Sequence, residues 1–322
     1  MKLGVVAALF SNMSLKESLD YLNKLGVQMI ELGAGGFPGK PHCDPEVLLA
    51  DEEKFNEFKK TIDESGIQIS AFSCHGNPVH PNKEIAAQFC QDFNNAVLIA
   101  EKMGIDTIVT FSGCPGGSPE DKTPNWVTCP WPDDFLHILE YQWNDVLIPY
   151  WKEAGSFAQS HGVTKIAFEM HPGFCVYNPE TLMKLRAAVG PVIGANFDPS
   201  HLVWQGIDPV AAIRYLGDAI YHFHAKDTKI DDINTARIGV LDTKHYGDEA
   251  NRAWVFRAVG YGHDVKWWRD ICSELRLVGY DKVMSIEHED SLMSIDEGLT
   301  KAVEVLKQVI IKEPKPGTMA WA

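Results

Sequence analysis

The sequence lacks the features that would place it in a membrane or outside the cell. No apolar stretch approaches the roughly 20 residues of a bilayer-spanning helix. The opening MKLGVVAALF resembles a short signal peptide, but it has one Lys and no small-residue cleavage site, so we interpret it as a buried strand. The 7 cysteines form no CxxC pair, which is typical of reduced thiols in a cytoplasmic protein.

Positive charge is also scarce in this chain of 322 residues. The 29 Lys and Arg residues face 44 Asp and Glu residues, which leaves a formal charge of −15 at pH 7. A protein of that charge repels phosphate backbones and anionic lipids, so we expect no nucleic-acid and no membrane partner. A GxxxxGK loop is absent as well, which favours an unphosphorylated ligand. The 45% of hydrophobic residues indicates a folded globular chain.

Short apolar runs alternate with longer segments of helical spacing throughout the sequence. Ser14 with Glu17 forms a capping-box pattern, and Gly26 follows that segment where helices end. The runs cover Leu3 to Leu9, Gln28 to Leu32, Ile67 to Ser73, Thr107 to Ser112, Lys165 to Glu169, Val192 to Phe197, Ile220 to Ala225 and Val283 to Glu287. Eight such units predict an α/β fold, a single (β/α)8 TIM barrel over residues 1–311 with a tail at 312–322. An open doubly wound sheet is the alternative.

Two segments are too long to be simple loops. Residues 113–135 follow the fourth run and are rich in Pro and Trp, and residues 229–263 follow the seventh run and are polar. Both lie on the side of the carboxyl ends of the strands, where barrel enzymes keep their active sites. We expect a lid or substrate collar, with a surface elaboration that merely packs on the barrel as the alternative.

Ligand-type side chains stand at the ends of four consecutive runs. The fifth run ends in FEMHP, the sixth in NFDPSHL, the seventh in YHFHAKD and the eighth in SIEHED. Because inward positions alternate, Glu169, Asp198, His224 and Glu287 reach one level of the barrel mouth. Three carboxylates in a dry mouth repel one another strongly, and a divalent cation resolves that repulsion. Oxygen ligands with one imidazole suit Mn²⁺, our first choice, or Mg²⁺, Co²⁺ or Fe²⁺.

The motifs FEMHPG, GANFDPSHL, FHAKDT, SIEHED and SCHGNPVHP resemble those of the xylose-isomerase-like barrels known as sugar phosphate isomerases/epimerases. This family includes ketose 3-epimerases, 3-dehydro-glycoside epimerases and large subunits of C-glycoside deglycosidases. The resemblance covers nearly the whole chain. It implies that Glu169, Asp198, His224 and Glu287 bind the metal and that His201 lies beside the substrate. The two long insertions and HAKD depart from the pattern of ketose 3-epimerases.

A cation at this site would make a C–H next to the carbonyl of a keto-sugar acidic by stabilising an enediolate. Glu169 and Glu287 flank that carbon, so one carboxylate can remove a proton that the other returns on the opposite face, which is epimerisation. His171 is a second acid/base candidate or else a partner of a ligand. The same intermediate permits β-elimination, which would cleave a 3-keto-C-glycoside.

Further residues are candidates for contacts with a carbohydrate substrate. His75 follows the third run and could donate to a hydroxyl, and Glu31 closes the second run. Lys226 could polarise the carbonyl or pair with Asp227. Trp126 could stack on a sugar ring or belong to a small core of its own insertion.

Two other classes of protein remain as alternatives. An endonuclease IV-type repair enzyme would need a basic groove and more His ligands, and the charge of −15 opposes it. A non-catalytic assembly partner would keep the metal only for structure. We expect a homo-oligomer, with a small second subunit as a further possibility.

Overall fold

Eight parallel strands close into a barrel in this computed structural model, which describes residues 1–314 and residue 317. The barrel strands are β1 (Lys2–Val6), β2 (Met29–Gly33), β3 (Gln68–Ser73), β4 (Thr107–Thr110), β5 (Lys165–Glu169), β6 (Ile193–Phe197), β7 (Ile220–Ala225) and, after β8 (Asp227–Ile230) and β9 (Trp254–Arg257), β10 (Val283–Ile286). They neighbour one another in chain order, and β1 pairs with β10 to close the sheet. The single (β/α)8 barrel is therefore confirmed, and the open sheet is wrong.

Helices surround the barrel and alternate with its strands. They are α1 (Leu15–Leu25), α2 (Pro45–Ala50), α3 (Glu52–Ser65), α4 (Lys83–Met103), α5 (Asp134–Glu140), α6 (Ile148–Ser160), α7 (Pro179–Val189), α8 (Pro199–Val203), α9 (Pro209–Leu216), α10 (Asp232–Ile238), α11 (Val265–Leu277) and α12 (Ile295–Val309). A π-helical segment, Tyr141–Leu147, joins α5 to α6, and 3₁₀ turns cover Ala7–Phe10, Gly217–Ala219 and Glu249–Asn251. No helix of the described chain combines the length and apolarity needed to span a bilayer.

Local signals in the sequence account for several of these boundaries. Ser14 accepts from the backbone N–H of Glu17, and the Glu17 carboxylate accepts from that of Ser14, which forms the expected capping box of α1. Gly26 ends α1 in the left-handed conformation. The first apolar run is shorter as a strand than expected, because Ala7–Phe10 turns into a 3₁₀ helix over the end of β1. Most of the tail, residues 315, 316 and 318–322, lies outside the described residues.

The first insertion, residues 113–135, is held to the barrel by polar contacts rather than by strands. The side-chain amide of Gln142, buried in the π-helical segment, donates to the carbonyl oxygens of Pro115 and Asn125 at 3.1 and 2.6 Å. Asn77 donates to the Cys114 carbonyl at 2.9 Å and accepts from its N–H at 3.0 Å. These bonds give the insertion a fixed shape beside the barrel mouth.

The second insertion contains an element that the sequence did not indicate, an antiparallel pair of β8 and β9. Its apolar side is a small cluster of its own, in which Trp254 stacks on Trp204 with ring centroids 4.6 Å apart. Arg252, almost fully buried, lies over the Trp254 ring at 4.6 Å and donates to the Trp254 and Lys244 carbonyl oxygens. The insertion is thus a packed structure at the barrel mouth.

Gly194 of β6 allows the close approach of the segment that leads into β7. A Cβ atom at this position would lie 2.5 Å from the Ala219 carbonyl oxygen and closer still to the ring of Tyr221. We therefore expect Gly194→Ala to lower the free energy of unfolding by roughly 1–3 kcal/mol, measured by urea denaturation. Gly247→Ala is the control, because the nearest atom to its Cβ would be a His245 side-chain nitrogen at 3.3 Å and no backbone atom lies close. Equal stability of both variants would contradict this packing argument.

Candidate metal centre

Four side chains from four consecutive barrel strands meet at the barrel mouth. Glu169 ends β5, Asp198 follows β6, His224 lies near the end of β7 and Glu287 follows β10. Each offers one ligand atom, and the four atoms lie within 4.8 Å of one another. Three are buried, while the Glu287 side chain is 21% exposed and faces the mouth. The structure therefore brings together the four residues that the sequence predicted as metal ligands.

Two buried atoms of this cluster, Asp198 Oδ2 and His224 Nδ1, form no well-aligned hydrogen bond with any described residue, although charged groups lie near both. Nδ1 lies 3.1 Å from a Glu169 oxygen and 3.2 Å from a Glu287 oxygen, so it points into the cluster. The other ring nitrogen, Nε2, lies 2.8 Å from the Glu31 carboxylate and donates to it. A carboxylate behind an imidazole orients the remaining nitrogen toward a metal. These donors fit a divalent cation that is held by three carboxylates and one imidazole.

Glu169 is the most heavily bonded carboxylate of the cluster. His75 and Asn196 donate to one of its oxygens at 3.2 and 3.1 Å, and His201 donates to the other at 3.0 Å. Burial alone would raise the pKa of Glu169, but the histidine contacts outweigh it and hold that pKa well below its usual range. Glu169 is therefore ionised at neutral pH.

Positive charge offsets the remaining carboxylates only in part. Burial raises the pKa of Asp198, and the nearby Lys226 and His201 do not fully reverse that shift. Burial would lower the pKa of His224, yet the charges of Glu31 and Glu287 raise it well above its usual value. Without a metal, His224 thus carries a proton that compensates the carboxylates. A bound divalent cation would take over that role.

Lys226 lies at the centre of the mouth with its ammonium group among carboxylates. Its Nζ is 3.1 Å from Asp198, 2.7 Å from Glu287 and 2.9 Å from Glu289. Its burial alone would lower its pKa, but these carboxylates raise it well above the usual value. The pairing with Asp227 that the sequence allowed does not occur, because Asp227 bonds the loop at residues 260–263.

His171 and His201 lie side by side, with ring centroids 4.1 Å apart. His171 donates from Nδ1 to the Pro172 carbonyl at 2.6 Å, which leaves Nε2 as an acceptor. Burial and the neighbouring His201 lower the pKa of His171 to about 3, so its ring is neutral at pH 7. His201 is 1% exposed, and its ring contacts Glu169, His171 and Phe256. Its place beside the substrate stays a prediction.

A cavity of about 290 Å³ opens directly above the cluster, and we call it the inner chamber. Its polar lining contains six of the groups discussed above: His75, Glu169, His171, Lys226, Glu287 and Glu289. Its apolar lining includes Phe37, Pro38 and Phe111. This volume lies just below the usual range for ligand pockets, about 300–1,000 Å³, so it suits a ligand as small as one sugar ring.

Two residues predicted to touch a substrate lie elsewhere. Glu31 points inward but is too deep in the barrel for the predicted contact with a sugar hydroxyl, since it is fully buried and bonds His224. Trp126 does not line the inner chamber; it packs against Tyr177 with ring centroids 5.6 Å apart and lines a separate cavity. Its position matches the alternative, a local core of the first insertion.

Sequence reasoning missed three kinds of residue in the site. Asn196 donates to Glu169 and accepts from His222 at 3.0 Å, and its inward parity with Asp198 could have indicated it. Phe111 directly follows β4 and packs edge-on against His75, which the same rule could have found. Phe37 comes from a Gly-rich loop whose path no local pattern determines.

Three carboxylates and one imidazole at the carboxyl ends of parallel barrel strands define a class of (β/α)8 proteins with a candidate divalent-metal site. Within this class, a family model described as "Xylose isomerase-like TIM barrel" matches residues 19–309. The chain belongs to this family, as the motifs at its strand ends predicted.

Individual proteins and solved structures are also similar to this chain. The uncharacterized protein YfiH of Bacillus subtilis (strain 168) is 41% identical over 312 residues, which cover 96% of this chain and 99% of that protein. An inosose dehydratase of Clostridium beijerinckii is 26% identical over 235 residues, 72% of each chain. The solved structure of a D-tagatose 3-epimerase-like protein superposes with a TM-score of 0.65 at 20% identity, covering 96% of this chain and 97% of the other. The last similarity concerns the fold alone.

The proposed metal ligands predict a specific loss of cation binding in the Asp198→Asn variant. An amide keeps the Oδ1 acceptor that caps α8, where it accepts from the Ser200 N–H at 2.8 Å, but it removes the charge. We expect the affinity for Mn²⁺, measured by calorimetry on EDTA-treated protein, to fall about 100-fold or more. Asp20→Asn, on the exposed face of α1, should bind Mn²⁺ like the parent. An unchanged affinity of Asp198→Asn would count against these ligands.

The lowered pKa of His222, which lies beneath the cluster, predicts that the protein loses stability in acid. Burial lowers the pKa of His222 to about 4, and the neutral ring donates to Asn196 and accepts from Ser70. The unfolded chain therefore binds a proton that the folded chain refuses, so stability falls as pH decreases from about 6.5 to 4. His222→Gln should reduce this fall by up to about 2 kcal/mol, measured by urea unfolding at pH 7 and pH 4.5.

The exposed His137 provides the control for this measurement. His137→Gln should show the same difference in unfolding free energy between the two pH values as the parent. If His222→Gln also shows the parental difference, proton uptake at His222 does not contribute to acid sensitivity.

Proposed function

We propose that this protein is a divalent-metal-dependent epimerase or isomerase of an unphosphorylated keto-sugar or 3-keto-glycoside. The observation that carries the proposal is the approach of two glutamates, Glu169 and Glu287, at one cation-binding cluster below a sugar-sized chamber. Two carboxylates from different strands can serve two faces of one carbon, as inversion of configuration requires.

Glu287 is the better placed of the two to remove a proton. Its side chain is 21% exposed to the chamber, whereas the Glu169 side chain is 3% exposed and accepts from several donors. Lys226, 2.7 Å from Glu287, keeps that carboxylate ionised and is close enough to donate to a substrate oxygen. His75 and His201 both donate to Glu169 and hold its carboxylate in the position from which it can serve the opposite face. The neutral His171 accepts a hydrogen bond from a substrate hydroxyl.

Glu169, Asp198, His224 and Glu287 would hold the cation, for which Mn²⁺ is our first choice. When bound, it supplies Lewis-acid stabilisation of the negative charge that develops on the substrate oxygens. The surrounding protein contributes a nearly dry site, because Asp198 and His224 are at most 1% exposed. In such a site, electrostatic stabilisation is stronger than in water.

A second candidate is elimination from the same substrate class. It is favoured by the similarity to an inosose dehydratase over 72% of both chains, because removal of water next to a carbonyl begins with the same proton abstraction. Lys226 could then donate a proton to the departing oxygen. With a 3-keto-glycoside as the substrate, the corresponding reaction releases the aglycone.

Incubation with a 3-keto-glucoside in D₂O separates these possibilities. Epimerisation yields a diastereomer that carries solvent deuterium on the carbon next to the carbonyl, which NMR detects. Elimination removes the hydrogen from that carbon and yields an unsaturated ketone and a free leaving group, and solvent deuterium enters only the substrate that is reprotonated before the group leaves. If no 3-keto-glycoside or free ketose exchanges deuterium in the presence of Mn²⁺, the proposed function is wrong.

Glu287→Gln should reduce deuterium exchange by about 1,000-fold, because the amide cannot accept the proton. Glu289→Gln should cause a much smaller loss, since Glu289 is exposed and outside the four-residue cluster. Rates are measured by NMR at saturating Mn²⁺, so that a weaker metal affinity does not mimic a loss of the base. Exchange by Glu287→Gln at the parental rate would refute the role of Glu287.

A further inference from the structure

A second cavity, the outer chamber, adjoins the inner chamber. Its volume is about 360 Å³, and it is lined by His171, Tyr246, Gly247, Val255, Phe256, Glu289 and Ser291. His171 and Glu289 line both chambers, so the two spaces meet at these side chains. A free monosaccharide at the metal centre would fill the inner chamber and leave the outer one to water.

Aromatic rings dominate one wall of the outer chamber. Tyr246 and Phe256 stack on each other with ring centroids 5.7 Å apart and an interplanar angle of 21°. Tyr246 nevertheless remains 53% exposed, whereas Phe256 is 8% exposed. A large exposed aromatic ring at the wall of a cavity is a surface on which a flat apolar group can stack.

The protein holds this aromatic wall in place before any ligand binds. The guanidinium group of the buried Arg252 lies 4.4 Å from the centroid of the Tyr246 ring and donates to the carbonyl oxygen of Lys244. The Asp242 carboxylate accepts from the N–H groups of Lys244 and Ala253 at 3.0 and 2.7 Å, which ties the Tyr246 loop to the β8–β9 pair. A positioned ring loses little entropy on binding a ligand.

The charged side chains where the two chambers meet indicate which substituent of the sugar fits the outer chamber. Lys226 pairs with Glu289 at 2.9 Å, and the described residues that line the outer chamber include no Lys or Arg that could neutralise an anionic substituent. Besides the Tyr246 hydroxyl, the main polar side chains of the outer chamber are those of Ser291, His171 and Glu289. A second sugar, with several hydroxyl groups to satisfy, is served less well than an aromatic group.

We propose that the outer chamber is a subsite for a planar, uncharged aromatic substituent of the keto-sugar that occupies the inner chamber. This inference rests on the proposed function only for the identity of the sugar in the inner chamber. The substrate class is then an aryl-substituted 3-keto-glycoside rather than a free ketose. Tyr246 is the residue that sets this preference.

Binding of unoxidised glucosides tests the subsite separately from catalysis. The probes are 4-nitrophenyl β-D-glucopyranoside, methyl β-D-glucopyranoside and cellobiose, titrated by calorimetry into the full chain with Mn²⁺. We expect the aryl glucoside to bind about 10-fold or more tightly than the methyl glucoside. Equal affinities overturn the proposal, and tighter binding of cellobiose shows a second sugar in the outer chamber instead.

Two variants test the outer chamber, one by removing part of its wall and the other by filling its space. Tyr246→Ala removes the stacking face, and Ser291→Trp fills the space from an exposed position. Each should bring the aryl-to-methyl affinity ratio close to one, with folding verified by circular dichroism. Tyr215→Ala, at an exposed tyrosine of α9, should keep the parental ratio. A parental ratio in Tyr246→Ala and Ser291→Trp overturns the subsite, whatever the result of the deuterium experiment.

Discussion

The balance of charge in the barrel mouth is the constraint on which the other features of the site depend. Glu31, Glu169, Asp198 and Glu287 are brought together in a buried site, and His224 and Lys226 lie among them with pKa values raised well above the usual ones. Buried carboxylates without such compensation would be strongly destabilising. The histidines of the site therefore have two tasks: they stabilise the carboxylates when no metal is bound, and they orient them for a cation.

Hydrogen bonds carry this arrangement down into the barrel. His222, one layer below His224, donates to Asn196, and Asn196 donates to Glu169. This contact spans β5, β6 and β7, and the pairing of β6 with β7 shifts register between Ala195 and Asn196. The shift places Asn196 opposite His222. The irregularity of the sheet thus serves to position the amide that supports Glu169.

The sequence could predict the barrel and the four clustered residues because both follow from short-range rules. Apolar runs define the strands, alternation defines the inward face, and closure brings the strand ends to one level. These rules do not predict how deep in the barrel an inward side chain lies, because the stagger of neighbouring strands decides which layer a residue joins. Glu31 is an example. The β8–β9 pair was also beyond these rules, since its apolar side packs on Trp204, which is distant in the sequence.

Adjacent residues connect the metal centre to the second insertion. Lys226 points into the mouth, and Asp227, the next residue, points away from it and accepts from the N–H groups of Gly260, Gly262 and His263. A side chain at Gly262 would collide with this carboxylate, so the loop can close around it only with glycine there. The Asp227 carboxylate, which anchors the insertion, and the Lys226 ammonium group of the site are therefore fixed by two adjacent residues of the backbone. Because the aromatic wall belongs to the same insertion, its distance from the metal centre is set by this stretch, not by a flexible hinge.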